Sequence, residues 1–175
     1  MAFRPETAVH LRALAEVLLR GPNSLTSAER EAIAAFVSLR NECTFCYLSH
    51  RAASAHHTGG NYGFVDSVTK GEGSAPVSPR LKALLAIAGK VQQGGKQVTA
   101  EDVARARAEG ATDIEIHDTV LIAAAFCMYN RYVDGLATWT PTDPAAYDPM
   151  GKRMATQGYV GVSSAQRQSE VAQAK

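Results

Sequence analysis

Hydrophobic residues recur every three or four positions along most of the chain, which is the spacing of helices that bury one face. The clearest stripes lie in residues 8–20, 27–39 and 78–93. An apolar run at residues 120–128 belongs to a longer stretch that begins at Asp113. No segment alternates apolar and polar residues between hairpin turns, so the pattern predicts an all-α protein of about six or seven helices.

Capping residues mark where several of these helices begin, because their side chains satisfy the backbone N–H groups that a first turn leaves free. The chain has two Thr-x-x-Glu boxes, one Thr-x-x-Asp variant and one Ser-Pro pair, which begin at Thr26, Thr112, Thr99 and Ser78. Weaker periodicity predicts a short helix within residues 62–70, followed by a loop at residues 71–77. Glycines that follow the stripes indicate where the helices end.

The pattern changes after residue 137. Residues 138–175 begin with a turn-rich segment, 139–144, and hold scattered aromatic residues but little periodicity. Such a segment cannot build a core of its own, and its polar end at residues 163–175 is typical of a fraying terminus. We therefore predict an all-helical domain at residues 1–137 and an irregular C-terminal tail at residues 138–175, which packs on the domain or on a neighbouring subunit.

Charge and length limit the classes of function. The 175 residues suit one domain with a tail, and 18 basic against 17 acidic side chains leave a formal net charge of +1. Without a basic run, the chain is a poor candidate for binding nucleic acid or an anionic membrane surface. Residues 1–7 lack the apolar core of a signal peptide, and no stretch approaches the roughly 18 apolar residues of a membrane span. We expect a soluble cytoplasmic protein.

The residues that most suggest chemistry are Cys43, Cys46 and His50. On a helix, Cys46 and His50 are one turn apart and Cys43 and His50 are two turns apart, so the three side chains share one face. Asn41 is a suitable N-cap, which would place Cys43 in the first turn, where the helix dipole favours a thiolate. A helical dithiol beside a base is typical of thiol–disulfide chemistry.

Two other interpretations of the cysteine pair stay open on the residues alone. The cysteines are structural if they only fill space as small apolar side chains. They bind a metal if a fourth ligand joins Cys43, Cys46 and His50, for which the candidates are Cys127, His56, His57 and Glu31. Covalent haem attachment is excluded, because it requires a histidine directly after the second cysteine, where Tyr47 stands.

Glu31 lies in the middle of the second predicted helix, where a glutamate is normally a solvated surface charge. Its neighbours on the same face are Ala34, Ala35 and Ser38, whose small side chains allow another helix to approach closely. A carboxylate between two such helices would be partly desolvated and suited to exchanging protons. We therefore predict a role for Glu31 beside the cysteine helix.

Glu31 stands twelve residues before Cys43, which gives the spacing Glu-x11-Cys-x2-Cys-x3-His. This spacing resembles the core signature of the alkylhydroperoxidase AhpD-like proteins, which belong to the carboxymuconolactone decarboxylase superfamily. The resemblance includes peroxidase-related members of that family. It covers residues 8–137, and the segments that carry it beside the cysteine motif are residues 25–31, 37–38, 110–116 and 126–131.

The resemblance implies an all-α fold that assembles into homo-oligomers, often trimers or multiples of them, with the dithiol in a pocket. It implies reduction of hydroperoxides, with electrons returned by a dithiol donor such as a lipoyl domain; we expect no metal and no bound cofactor. Carried over by position, Cys46 attacks the peroxide, Cys43 closes the disulfide, and Glu31 with His50 forms the proton relay. Phe45 departs from the pattern, because some members have a histidine just before the second cysteine.

The sequence thus predicts a thiol-dependent peroxidase that works through its Cys-x-x-Cys dithiol. One alternative is a non-enzymatic redox-sensing or assembly protein whose disulfide changes its contacts. Another is an enzyme like the carboxymuconolactone decarboxylases, whose chemistry on a small lactone acid requires no dithiol. Cys127 is interpreted as a buried inert thiol, and His56 and His57 as an exposed helix end. His117, Asn130 and Arg131 are interpreted as structural groups.

Overall fold

The computed structural model describes residues 3–70 and 76–160. Within these residues the chain forms eight α-helices, two short 3₁₀ helices and no strand, which confirms the predicted all-α class with slightly more helices than expected. The α-helices are α1 (Pro5–Arg20), α2 (Ser27–Arg40), α3 (Thr44–His57), α4 (Gly63–Thr69), α5 (Pro79–Gln93), α6 (Ala100–Ala108), α7 (Asp113–Gly135) and α8 (Asp148–Gln157). The 3₁₀ helices span Gly95–Gln97 and Pro144–Tyr147. No helix in the described ranges is long and apolar enough to cross a membrane.

The predicted capping residues begin the helices that they were expected to begin. At the start of α2, Thr26 Oγ1 accepts from the backbone N–H of Glu29 at 3.2 Å, and Glu29 Oε2 accepts from the backbone N–H of Thr26 at 2.8 Å. The same reciprocal box opens α6 and α7, and Ser78 caps α5. These starts depend on neighbours within three residues, so local sequence is sufficient to predict them.

The predicted N-cap of the cysteine helix is wrong. Asn41 is the C-cap of α2, and the N-cap of α3 is Cys43 itself. Between them Glu42 adopts a left-handed conformation (φ 59°), and the Cys43 N–H donates to the carbonyl oxygen of Ser38 at 3.0 Å. This turn satisfies the last carbonyls of α2 and starts α3 two residues later than expected.

The central element of the fold is α2. Residues 32–35 are all fully buried, which is possible only for a helix that is covered on every side. The close contact of α3 is visible at Ser54, whose hydroxyl donates to the carbonyl oxygen of Ala28 at 2.9 Å. Small residues on α2 allow this approach, and they bring the Glu31 face of α2 against α3. The core side chains around α2 include Leu19, Ile33, Leu84, Ile122 and Phe126.

The last described helix, α8, packs on α3 of the same chain. The approach is closest at Gly151, where a Cβ atom would lie 2.6 Å from the carbonyl carbon of Ala52 and 2.8 Å from the nitrogen of Ala53. From the other side, Arg20 Nη1 donates to the carbonyl oxygens of Met154 at 3.1 Å and Ala155 at 2.6 Å. The segment after residue 143 is therefore held between α1 and α3.

No strong local sequence signal predicts the helical part of the C-terminal tail. Residues 144–157 are helical because α8 buries one face against α3, and tertiary packing outweighs weak propensity in so short a helix. The rest of the described tail is irregular, as predicted. The predicted frayed end at residues 163–175 and most of the predicted loop at 71–77 lie outside the described residues, and the division of the chain at residue 137 stays a prediction.

We expect the Gly151→Ala variant to be less stable than the wild type by about 1–3 kcal/mol, because the added methyl group forces α8 away from α3. The measurement is the free energy of unfolding from urea denaturation. Gly135→Ala is the matched control, since a Cβ atom at the end of α7 meets nothing within 4 Å. That variant should be neutral or more stable by up to about 1 kcal/mol. Equal stability of the two variants would contradict the close packing of α8.

Candidate active site

A cavity of about 340 Å³ lies between α1, α3, α7 and α8. Its walls are mainly apolar, and the side chains that form them include Leu11, Ala15, Phe45, Phe126, Val133 and Met150. Cys46 and His50 reach the cavity from α3, and Tyr159 reaches it from the segment that follows α8. The cavity therefore brings a thiol, an imidazole and a phenol together in largely apolar surroundings.

The two cysteines of the motif differ in their access to this cavity. Cys46 lines it and retains 5% exposure, whereas Cys43 is 1% exposed and lies outside the lining. Both are free thiols in this structure, and they lie close enough for each to shift the pKa of the other. A molecule that enters the cavity meets Cys46, and Cys43 stands directly behind it.

The interaction between the two cysteines shifts their pKa values in opposite directions. Donation from Cys43 lowers the pKa of Cys46 to about 7, and the nearby charge of His50 and a hydrogen bond from Asn130 act in the same direction against the effect of burial. The pKa of Cys43 is raised, first because its proton is held by Cys46 and second because the thiol is buried. These shifts favour Cys46 over Cys43 as the thiolate of the pair.

Glu31 is fully buried, as the small residues around it predicted, and both of its carboxylate oxygens are hydrogen-bonded. His50 Nδ1 donates to Oε2 at 2.7 Å. The Tyr159 hydroxyl donates to Oε1 at 2.5 Å. The structure thus brings three of the four predicted residues together: Glu31 is bonded to His50, and His50 and Cys46 line the same cavity.

Aromatic rings hold His50 in place. The Tyr159 ring stacks on the imidazole with centroids 6.2 Å apart and an interplanar angle of 14°, and the Phe126 ring meets it edge-on at 4.6 Å. Burial raises the pKa of Tyr159 well above its usual value, and the charge of Glu31 adds to this shift. The phenol therefore stays protonated and remains a donor to the carboxylate.

Two residues of the site were not found as functional residues from the sequence. Asn130 was interpreted as structural, but it helps to lower the pKa of Cys46. Its amide also donates to Ser38 Oγ at 3.0 Å and accepts from Asn41 Nδ2 at 2.8 Å. An amide within an otherwise apolar helix was a usable signal, because a buried amide needs polar partners. Tyr159 had no local signal, since it meets Glu31 across 128 positions of sequence.

Three other residues lie away from the cavity. His117 is exposed and pairs with Asp118 on its own helix, and the Arg131 guanidinium donates to the carbonyl oxygen of Cys127. Cys127 is half-buried instead of fully buried, because it sits at the edge of the core where Asn41 Nδ2 approaches its sulfur at 3.6 Å. None of the three lines the cavity.

The interpretation of His56 and His57 as an exposed helix end is wrong, because α8 covers that end of α3. Both are half-buried, and His56 Nε2 bonds to Asp148 Oδ1 at 2.9 Å. Burial lowers the pKa of His57. In residues 3–70 and 76–160, no group of three or more histidine, cysteine, aspartate or glutamate side chains is arranged to hold a metal ion.

We expect the reaction of Cys46 with iodoacetamide to speed up with pH around a midpoint of about 7. The measurement uses a Cys127→Ser background, so that Cys46 is the accessible thiol, with mass spectrometry to locate the label. Cys43→Ala removes the donor to the thiolate and should slow the reaction at pH 7 by roughly ten-fold. Cys43→Ser retains a hydroxyl donor and should have the smaller effect. An unchanged midpoint in Cys43→Ala would contradict the hydrogen bond as the cause.

We expect Tyr159→Phe to lower the free energy of unfolding by about 1.5–3 kcal/mol, because a buried carboxylate loses a hydrogen bond. Tyr132→Phe is the control, since it removes the same atom from another tyrosine in the cavity lining that has no hydrogen-bond partner among the described residues. The control should change stability by less than about 0.5 kcal/mol. Equal losses of unfolding free energy in the two variants would show that the hydrogen bond from Tyr159 to Glu31 does not stabilise the protein.

Comparison with known proteins places this arrangement in a structural context. The sequence matches no protein-family model and no curated protein. Among solved structures it is similar to an uncharacterized peroxidase-related protein from Silicibacter sp. TM1040, with 26% identity, 83% of this chain and 74% of that chain covered, and a TM-score of 0.73. It is also similar to an uncharacterized peroxidase-related protein from Ralstonia eutropha JMP134, described as an alkylhydroperoxidase AhpD core, with 26% identity, 86% and 77% coverage, and a TM-score of 0.74. The chain therefore has the AhpD-like, peroxidase-related helical fold that its sequence resembles.

Proposed function

We propose that the protein is a thiol-dependent peroxidase that reduces hydroperoxides through Cys46 and Cys43. The observation that carries the proposal is the arrangement of the two thiols: Cys46 faces the cavity, and Cys43, one helical turn away, is buried outside its lining. The interaction between them lowers the pKa of Cys46 to about 7. The first thiol has the access and acidity of a nucleophile. The second has the position of the thiol that completes a disulfide.

In the first step the Cys46 thiolate attacks the terminal oxygen of the hydroperoxide. A sulfur–oxygen bond forms and the oxygen–oxygen bond breaks, so that Cys46 becomes a sulfenic acid and the remainder leaves as an alkoxide. The alkoxide takes up a proton and departs as an alcohol. The peroxide is reduced by two electrons, and the sulfur of Cys46 is oxidised by two.

His50 and Glu31 are the proposed source of that proton. The bond from His50 Nδ1 to Glu31 leaves the other ring nitrogen, Nε2, as the atom that can exchange a proton with a group in the cavity. The carboxylate stabilises a charged imidazole and fixes the orientation of its ring. Tyr159 holds the second oxygen of Glu31, so that the carboxylate keeps one oxygen directed at His50.

In the second step the Cys43 sulfur attacks the sulfenic sulfur of Cys46. The disulfide forms, and the hydroxyl group of the sulfenic acid leaves with the proton of Cys43 as water. An external dithiol then reduces the disulfide by exchange and becomes a disulfide itself. We propose a dithiol or lipoyl-type compound as this donor and a homo-oligomer as the working form.

Phe45, which stands where some AhpD-like proteins have a histidine, fits this division of roles. It lines the cavity and meets Tyr147 edge-on with ring centroids 5.9 Å apart. The ring adds apolar surface next to Cys46 and has no proton to exchange. The proton relay therefore rests on His50 and Glu31. The peroxidase-related names of the two similar structures support the class of reaction proposed.

We expect Cys46→Ser to abolish turnover of cumene hydroperoxide with dihydrolipoamide as the reductant, because the nucleophile is lost. Without added reductant, Cys43→Ser should still consume about one equivalent of peroxide and then stop, with a sulfenic acid on Cys46 that dimedone traps and mass spectrometry locates. Cys127→Ser is the control and should turn over like the wild type.

Undiminished turnover in Cys46→Ser would reject the assignment of the nucleophile. If the wild type forms the disulfide but turns over no peroxide, and its size on gel filtration changes with oxidation, the protein is a redox sensor and the proposed enzyme activity is wrong.

A further inference from the structure

The cavity is much larger than hydrogen peroxide requires. A water molecule occupies about 30 Å³ of liquid, and hydrogen peroxide, which has one more oxygen atom, is only slightly larger. The volume of about 340 Å³ lies within the range of pockets that hold organic ligands. A molecule that fills this space has a substantial carbon body beside its reactive group.

The walls indicate that this body is apolar. Four helices contribute aliphatic, aromatic and thioether side chains, including Leu11 from α1, Phe45 from α3, Val133 from α7 and Met150 from α8. Cys46 and the group around His50 supply the reactive end of the cavity. Burial of hydrocarbon against these walls provides binding free energy that a small peroxide cannot gain.

Two cations interrupt this apolar lining. Arg12 of α1 and Arg153 of α8 both line the cavity and are half-buried. Among the described residues, neither guanidinium has an ion-pair partner, and no aspartate or glutamate lines the cavity with them. Three acidic groups lie close to the cavity but outside its lining. Glu31 is hydrogen-bonded to His50 and Tyr159, and Glu16 pairs with Arg20. Asp134, whose charge acts on Cys46, is exposed. The cavity therefore offers two unneutralised positive charges to its ligand.

We infer that the substrate is an organic hydroperoxide that carries a carboxylate on an apolar body. The carboxylate binds Arg12 and Arg153, the hydrocarbon lies along the apolar walls, and the peroxide group faces Cys46. Guanidinium groups bind carboxylates with charge-assisted hydrogen bonds, which gives the arginines a preference that apolar walls lack. This inference rests on the proposed peroxidase function and specifies which peroxides it acts on.

The test compares the hydroperoxide of linoleic acid with the hydroperoxide of its methyl ester, which differ in charge and little in shape. We expect kcat/KM of the wild type to be roughly five- to ten-fold higher for the acid. In the double variant Arg12→Gln/Arg153→Gln the ratio should fall to about one, mainly through KM for the acid. Lys152→Gln removes a cation from the exposed side of the same helix, α8, and should retain the wild-type ratio.

A second measurement does not depend on peroxidase activity. Iodoacetate and iodoacetamide alkylate the same thiol and differ in charge, so the ratio of their rates at Cys46 reports the charge of the cavity. In a Cys127→Ser background, this ratio should be higher with both arginines present than in the double variant. Circular dichroism and the Tm of the double variant show whether it is folded.

The outcomes separate this inference from the proposed function. Turnover of both peroxides with equal kcat/KM in the wild type, or a preference for the acid that survives in the double variant, overturns the carboxylate inference alone. Loss of the iodoacetate preference in the double variant supports an anion-selective cavity even if no peroxide is turned over, and in that case the proposed function is the part that fails.

Discussion

The carboxylate of Glu31 constrains the whole site, because it has no contact with solvent and must find its partners within the protein. An unpaired buried carboxylate is strongly unfavourable, so each of its hydrogen bonds stabilises the fold. One bond comes from His50 on α3 and the other from Tyr159, beyond α8. Both segments are thereby held around α2, and the cavity that exposes Cys46 lies between them.

The sequence carried enough information to predict the parts of the molecule that depend on neighbouring residues. Helices that begin with a threonine or serine cap start where expected, and the spacing between Glu31 and the cysteine motif correctly indicated that they meet. Asn41 shows the limit of such reasoning. Its side chain is as suitable for an N-cap as for any other polar contact. In the structure it bonds with Asn130 and Gln92 instead of capping α3. Those partners lie far away in sequence, as Tyr159 does from Glu31, and no local pattern identifies them.

The sequence placed Cys43 in the first turn of a helix, where a thiolate is favoured, and this expectation is wrong: the pKa of Cys43 is raised and that of Cys46 is lowered. Because Glu42 turns the chain sharply, Cys43 lies at the N-cap of α3 and outside the cavity. Cys46 lies one helical turn later, near His50 and Asn130. The difference in burial and hydrogen bonding between the two sulfurs comes from the turn and from α7. Spacing alone identifies the pair, and the surrounding helices determine which member reacts first.

The unequal access of the two sulfurs also determines the order in which substrates can act under the proposed mechanism. A peroxide and a reducing dithiol must both reach Cys46, the sulfur that faces the cavity. The peroxide and the dithiol cannot occupy that space together, so the alcohol product must leave before the dithiol enters. The two half-reactions then alternate on a single sulfur, which is ping-pong behaviour, with parallel double-reciprocal plots as its kinetic signature.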